Sequence, residues 1–227
     1  MKHCELTILM PCLNEERTIA ACIAEAQGYL TRREVVGEVL IADNGSTDRS
    51  VAIAESLGAR VVHCAEKGYG NALRCGLAAA YGDCIIMGDC DQSYDFSAID
   101  EMHDLLKGGV DVVIGDRFAE RPVDEAMSFS HRLGVPFLSW AARVRFGCTV
   151  HDFHCGLRGI RREALEKLDL RCGGMEFATE FIAKATRAGL TIGETPVILR
   201  PDGRDGPSHL RTIRDGLRHL WLIIKGG

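Results

Sequence analysis

The chain reads as an α/β protein with a mainly parallel central sheet and helices on both faces. Three observations predict it. Strand and helix patterns alternate, and βαβα order builds parallel sheets. The strand segments are continuously apolar, as strands buried on both faces must be. Polar groups gather at the C-terminal ends of those strands, where open α/β sheets bind their ligands.

Leu6–Leu13 is an apolar strand that runs into Pro11-Cys-Leu-Asn14-Glu15-Glu16, and Thr18–Tyr29 is helical. The strand Glu38–Ala42 meets Asp43-Asn44-Gly45-Ser46-Thr47-Asp48, a turn and helix-cap cluster before a helix over Ser50–Leu57. A strand over Ala59–Cys64 precedes Lys67-Gly68-Tyr69-Gly70-Asn71, which opens a helix over Ala72–Tyr81. The strand Cys84–Met87, a helix over Ser97–Lys107 and a strand over Asp111–Gly115 complete this rhythm. Beyond residue 118 the pattern loosens. A loop is expected over Ala119–Ser130, an apolar helix over His131–Phe146 and a strand over Asp152–Arg161. A short helix over Glu163–Leu168, a longer one over Glu176–Ala188 and a strand over Thr191–Leu199 follow. The Gly/Pro/Arg-rich stretch Arg200–Ser208 reads as a mobile loop, and Leu210–Lys225 as a closing helix. No linker or repeat divides the chain. It is expected to form one domain over 1–227, with a nucleotide half over 1–118, an acceptor half over 119–209 and an amphipathic helix over 210–227.

Composition excludes several classes. With 46% hydrophobic and 26% charged residues, the 227-residue chain can bury a large core. A net charge of −5 gives no electrostatic case for nucleic acid as a partner. No apolar run is long enough to span a membrane, and because Met1-Lys-His-Cys-Glu leads straight into a strand, no signal peptide is expected. None of the ten cysteines forms Cys-x-x-Cys, and Cys12, Cys22, Cys75 and Cys84 sit in apolar patterns. They read as free, buried thiols of a cytoplasmic protein. His151 and His154 stand i, i+3 on the strand expected there, so they point to opposite faces and no metal site is read from them.

The chemistry is expected at the strand ends: Asn14-Glu15, Asp43-Asn44, Asp89 with Asp91, and Asp116-Arg117. Two carboxylates spaced i, i+2 are an incomplete cage for a hard cation. That suits Mg²⁺ or Mn²⁺, which fills its other positions with water and substrate phosphate oxygens. Lys67-Gly68-x-Gly70 adds a cation and a backbone that phosphate can approach closely. Neither Gly-x-x-x-x-Gly-Lys-Ser/Thr nor Gly-x-Gly-x-x-Gly is present, which points away from kinases and dehydrogenases.

In their order, Pro11–Glu16, Asp43–Asp48, Lys67–Ala72 and Asp89-Cys90-Asp91 resemble the successive motifs of family 2 glycosyltransferases with the GT-A fold, a three-layer sandwich. The second half resembles the polyprenyl-phosphate sugar synthases, such as dolichyl-phosphate mannose synthase. The matching segments are Gly115–Phe118, His131-Arg132, Asp152–Arg162 and Arg204–Leu210. The resemblance implies an inverting, metal-dependent transfer of a hexose from a GDP-mannose or UDP-glucose type of donor to a polyprenyl phosphate. It places Pro11, Asn14, Glu15, Asp43, Lys67 and Gly68 around the donor, with Asp89 and Asp91 on the metal and diphosphate. Arg117 and Arg132 match acceptor-phosphate positions, and Arg204 matches a loop arginine that closes over the donor.

A phosphate acceptor is already anionic near neutral pH and needs arginines rather than a general base. A hydroxyl acceptor, soluble or on a protein, would need a base. Asp152 and Glu176 are the candidates, each equally readable as a turn residue or a first-turn carboxylate. Two further alternatives are a sugar-nucleotide-forming nucleotidyltransferase, which would be expected to carry a Gly-rich basic signature absent from Pro11–Arg17, and a non-catalytic nucleotide-sugar binder. Arg158, Arg161 and Arg162 read as solvated or sheet-edge charges. Finally, Leu210, Ile213, Leu217, Leu220, Trp221 and Ile224 form a stripe flanked by Arg211, Arg214, Arg218 and Lys225. Such a helix can lie on an anionic membrane surface, so the protein is expected to be peripheral on the inner face of the cell membrane.

Overall fold

A computed structural model describes residues 3–119, 129–203 and 212–226. The strands are β1 (Leu6–Cys12), β2 (Gly37–Asp43), β3 (Arg60–His63), β4 (Cys84–Met87), β5 (Val112–Asp116), β6 (Arg158–Arg161) and β7 (Ile192–Pro196). The helices are α1 (Ile19–Arg32), α2 (Ser50–Ser56), α3 (Tyr69–Ala79), α4 (Asp100–Lys107), α5 (Phe129–Phe146), α6 (Arg162–Leu165), α7 (Phe177–Arg187) and α8 (Thr212–Lys225).

One seven-stranded sheet runs in the order β3-β2-β1-β4-β6-β5-β7. All pairs are parallel except those of β6, which is antiparallel to β4 and β5. The expected mainly parallel α/β sheet is therefore present. Right-handed crossovers fix the layers. The connections through α1 and α2 step towards β3, whereas α3 returns across the sheet to β4, so α3 covers the opposite face. Tyr29 of α1 and His103 of α4 share a 2.8 Å hydrogen bond and lie on one side, while α7 joins α3 on the other. Leu6, Ile8, Leu9, Met10, Ile85 and Ile86 are fully buried between the layers.

This topology positions the site. The strand order reverses between β1, whose next strand lies to one side, and β4, which lies to the other. A cleft opens at such a switch point. Here Cys90 Sγ donates to Pro11 O at 3.0 Å and ties the two strand ends together.

Three expectations change. The strand expected from Asp152 pairs regularly only over Arg158–Arg161, because the groups of 152–156 bond to Arg117, Ser139, Tyr94 and Arg158 rather than to a neighbouring strand. The opposite-faces reading of His151 and His154 loses its basis: His151 Nδ1 meets Glu194 Oε2 at 3.0 Å, and His154 packs against His219. Cys64 and Cys75 form a disulfide, with Cα atoms 5.9 Å apart, and are not free thiols. An eleven-residue spacing between a strand end and a helix face carries no local sign of that approach.

Candidate active site

The loop after β1 and the loop after β2 are built as one unit. Asn14 adopts φ +58°, and its Oδ1 accepts from Thr47 N at 2.8 Å. Its own N–H donates to Ser46 Oγ at 3.0 Å. Glu15, buried, donates its N–H to Ser50 Oγ at 2.8 Å. Asp43 is also buried and accepts from Ser46 N at 2.9 Å, from Gly45 N at 3.2 Å and from His63 Nδ1 at 3.2 Å. Burial opposes its ionisation most strongly, yet these donors together hold its carboxyl below the ordinary range.

Asn44 organises the glycine-rich turn. Its Oδ1 accepts from Gly68 N at 2.7 Å, and its carbonyl accepts from Lys67 Nζ at 2.6 Å. Gly68 has φ +131°, and any Cβ there would strike the Gly173 carbonyl. Only glycine fits, on both counts.

At the end of β4, Ser93 N and Oγ hold Asp91 Oδ1 at 3.0 and 2.5 Å. Asp91 O accepts from Gly203 N at 2.9 Å, so the chain just before Arg204 is pinned to the acidic motif. Arg204 itself lies outside the described residues. Asp89 faces the loop before β6: a Cβ at Gly156 would stand 2.7 Å from Asp89 Oδ2. Tyr69 lies beside Asp89; burial first, and that carboxylate second, raise its phenol well above the usual range. Two hard carboxylates on one turn fit Mg²⁺ or Mn²⁺ as a donor set.

Arg117 and Asp152 are brought together from 35 residues apart. Nε donates to Oδ2 at 2.6 Å and Nη2 to Oδ1 at 2.9 Å, a bidentate pair. Asp152 is fully buried, and the Arg117 side chain is 10% exposed. Burial works against the guanidinium, but Asp152 more than offsets it and holds Arg117 charged. Arg132 lies in the first turns of α5, and its side chain is outside the described residues. Glu176 belongs to the α7–α8 contact, with Oε2 3.7 Å from Arg218 Nη1.

Arg158 corrects the sequence reading. It is buried and donates to Cys155 O at 2.6 Å, Ala178 O at 2.7 Å and Phe153 O at 2.8 Å. It thereby fixes the loop that carries Asp152. Nothing in the sequence pattern distinguishes this arginine from Arg161 and Arg162, because its burial depends on how the loop just before β6 folds back over it and on the Ala178 carbonyl of α7. Asp116, His151 and Glu194 form a further group whose candidate ligand atoms lie within 4.8 Å of one another. His151 N and Nδ1 already meet the two Glu194 oxygens at 2.6 and 3.0 Å.

Beside this loop, His154 packs edge-on against His219, with centroids 4.5 Å apart. Its Nε2 is buried with no partner among the described residues. Burial, then His219 and the nearby arginines, push its pKa well below the usual value, and burial lowers His103 as well. A depressed histidine pKa means that the unfolded chain binds more protons below about pH 6.5. Stability should therefore fall as pH drops from about 7 to about 5, before the carboxylates titrate. Thermal melts followed by circular dichroism check this, and a flat profile over that window would contradict it.

Residues 7–169 match the family model described as glycosyl transferase family 2. The low-salt glycan biosynthesis hexosyltransferase Agl6 of Haloferax volcanii is 37% identical over 221 residues, which is 96% of this chain. The chain spans 53% of that relative's length. The dolichyl-phosphate hexose transferase of the same organism is 31% identical over 221 residues, covering 97% of this chain and 93% of that protein. Among solved structures, glucosyl-3-phosphoglycerate synthase from Mycobacterium tuberculosis, crystallised with Mn²⁺, UDP-glucose and phosphoglyceric acid, superposes with a TM-score of 0.78 at 24% identity. That match covers 98% of this chain and 80% of the other, and it shows the shared GT-A fold.

Proposed function

The chain belongs to glycosyl transferase family 2, and from that premise we propose that it moves a hexose from a nucleoside-diphosphate sugar to a polyprenyl phosphate. The observation that carries the acceptor assignment is Arg117, clamped by buried Asp152 in the loop whose Gly156 abuts Asp89. An arginine oriented in this way beside the donor carboxylates suits a phosphate, whose oxygens match its fork.

Pro11, Asn14, Glu15, Asp43, Lys67 and Gly68 surround the nucleotide in this reading. Asp89 and Asp91 would hold Mg²⁺ or Mn²⁺, which neutralises the charge that develops on the departing diphosphate. Arg117, with Arg132, holds the acceptor phosphate so that an anionic oxygen attacks the anomeric carbon from the side opposite the diphosphate. The C–O bond to the sugar forms as the bond to the diphosphate breaks, with inversion. Since that oxygen carries no proton to remove, Asp152 orients Arg117 and is not needed as a base. Arg204 follows the Gly203 anchor on Asp91 and is proposed to close over the donor.

The test is a panel of GDP-mannose and UDP-glucose with Mn²⁺ or Mg²⁺, each offered a short polyprenyl phosphate, the corresponding polyprenol, or a serine peptide. Release of nucleoside diphosphate should require the phosphate acceptor and vanish with chelator. Equal turnover on the polyprenol or the peptide would overturn the acceptor assignment.

A further inference from the structure

We propose that Glu180 is a positioning residue for the donor: by fixing the turn before α7 it holds three carbonyls against the glycine-rich turn and so sets where Lys67 stands. The proposal rests on the donor reading above and adds to it a side chain from the second half of the chain.

Glu180 is 3% exposed on α7, yet its charge is not stranded. Its oxygens accept from Arg171 N at 2.9 and 3.0 Å, from Cys172 N at 2.7 Å and from Lys184 Nζ at 2.8 Å. Lys184 also donates to Asp169 O. Burial opposes ionisation most strongly, but Lys184 and the two amides more than offset it and hold the carboxyl below its ordinary range. Charge-assisted bonds of this kind are the strong ones, and here they tie residues 169–172 to α7.

What that tie serves is visible at the next residues. A Cβ at Gly68 would stand 2.3 Å from Gly173 O, and one at Gly70 would stand 2.3 and 2.8 Å from Cys172 O and Gly174 O. Asn71 N donates to Gly173 O at 3.2 Å. Arg74 Nη1 bridges Asn71 Oδ1 and Arg171 O at 3.1 and 3.3 Å. The glycines thus admit protein carbonyls, a use that their sequence pattern does not reveal. On its other side the same turn meets Asn44, through Gly68 N and Lys67 Nζ. It is gripped from both halves of the chain, and Glu180 fixes the grip that comes from the second.

A separate contact on α7 keeps the two substrates apart. Ala178 O accepts from Arg158, which fixes the loop of Asp152, the partner of Arg117. That acceptor is a backbone carbonyl, so a change in the Glu180 side chain leaves it in place.

The test compares wild type, Glu180→Gln and Gly173→Ala, all well below their melting temperatures. Glutamine keeps the shape but loses the charge and turns an N–H towards donors. Alanine at 173 leaves Glu180 untouched, and its Cβ would come within 2.8 Å of the Asn71 amide group. Calorimetry with GDP and UDP in Mn²⁺ should show about tenfold weaker nucleotide binding in both variants. Donor KM should rise to match, while kcat and the KM for a short polyprenyl phosphate stay within about twofold of wild type. Hydrogen exchange should quicken at Asn71 as well as at Arg171 and Cys172. The double variant should lose little more than either single one, because both act on one contact. The proposal is overturned if Glu180→Gln binds nucleotide like wild type, if exchange at Asn71 is unchanged, or if donor and acceptor KM rise together. Wild type that binds nucleotide but transfers no sugar to the polyprenyl phosphate would sink the acceptor reading and leave this one standing.

Discussion

Asp91→Ala is expected to lower kcat/KM for sugar transfer at least about a thousandfold, equivalent to about 4 kcal/mol of lost transition-state stabilisation. The residue is buried at the switch point of the sheet, and Ser93 fixes its carboxylate. Alanine also removes that turn-holding acceptor, at about 1 kcal/mol of stability. Asp91→Asn separates the two effects, because an amide oxygen can still accept from Ser93 while the charge is gone. Calorimetry with GDP and UDP, with and without Mn²⁺, should show metal-dependent nucleotide binding lost in both variants. If Asp91→Asn binds nucleotide and Mn²⁺ like wild type, the carboxylate is no metal ligand, and its role reduces to shaping the turn.

Arg117→Ala should act twice. It removes the proposed phosphate contact, at about 1.5–3 kcal/mol, which raises acceptor KM about ten- to a hundredfold while donor KM stays near wild type. It also leaves Asp152, fully buried, without the guanidinium that both its oxygens meet. Stranding a buried charge costs about 3–5 kcal/mol of stability. The double variant Arg117→Ala with Asp152→Asn tells the roles apart: thermal stability should recover in part, and acceptor affinity should not. Asp152→Asn alone should weaken acceptor binding while leaving donor binding intact. A large loss of kcat in that variant with unchanged acceptor KM, together with a new acidic limb in the pH–rate profile of wild type, would instead make Asp152 a base.

The strands and their polar tips were legible in the sequence because both are local signals. β4 coincides with the expected Cys84–Met87, and α1 and α2 begin within a residue of where the patterns place them. The expected helix over Ser97–Lys107 is a short 3-10 turn followed by α4. What the sequence hides is non-local. The Arg117–Asp152 pair and the Cys64–Cys75 bridge join residues whose spacing says nothing of their meeting. Arg158 is written like its half-buried neighbours Arg161 and Arg162, and only three converging carbonyls make it a buried strut. The segment His131–Phe146 reads only as an apolar helix, and the exposure of Phe137 and Val144 is not legible there, since periodicity reports a face and not what lies against it.

The single reversed strand has a consequence for how the molecule assembles. β4 finds one partner early, in β1, but its other edge closes only when Met87 meets Arg158. During synthesis the portion from β1 to β4 can therefore condense while Cys84–Met87 still offers an open, wholly apolar ladder to any passing chain. The strand that caps this edge also delivers the Asp152 loop, so edge protection and completion of the proposed acceptor site arrive together. A nascent chain that has not yet shielded itself from self-association has not yet oriented Arg117, the arginine proposed to hold the acceptor.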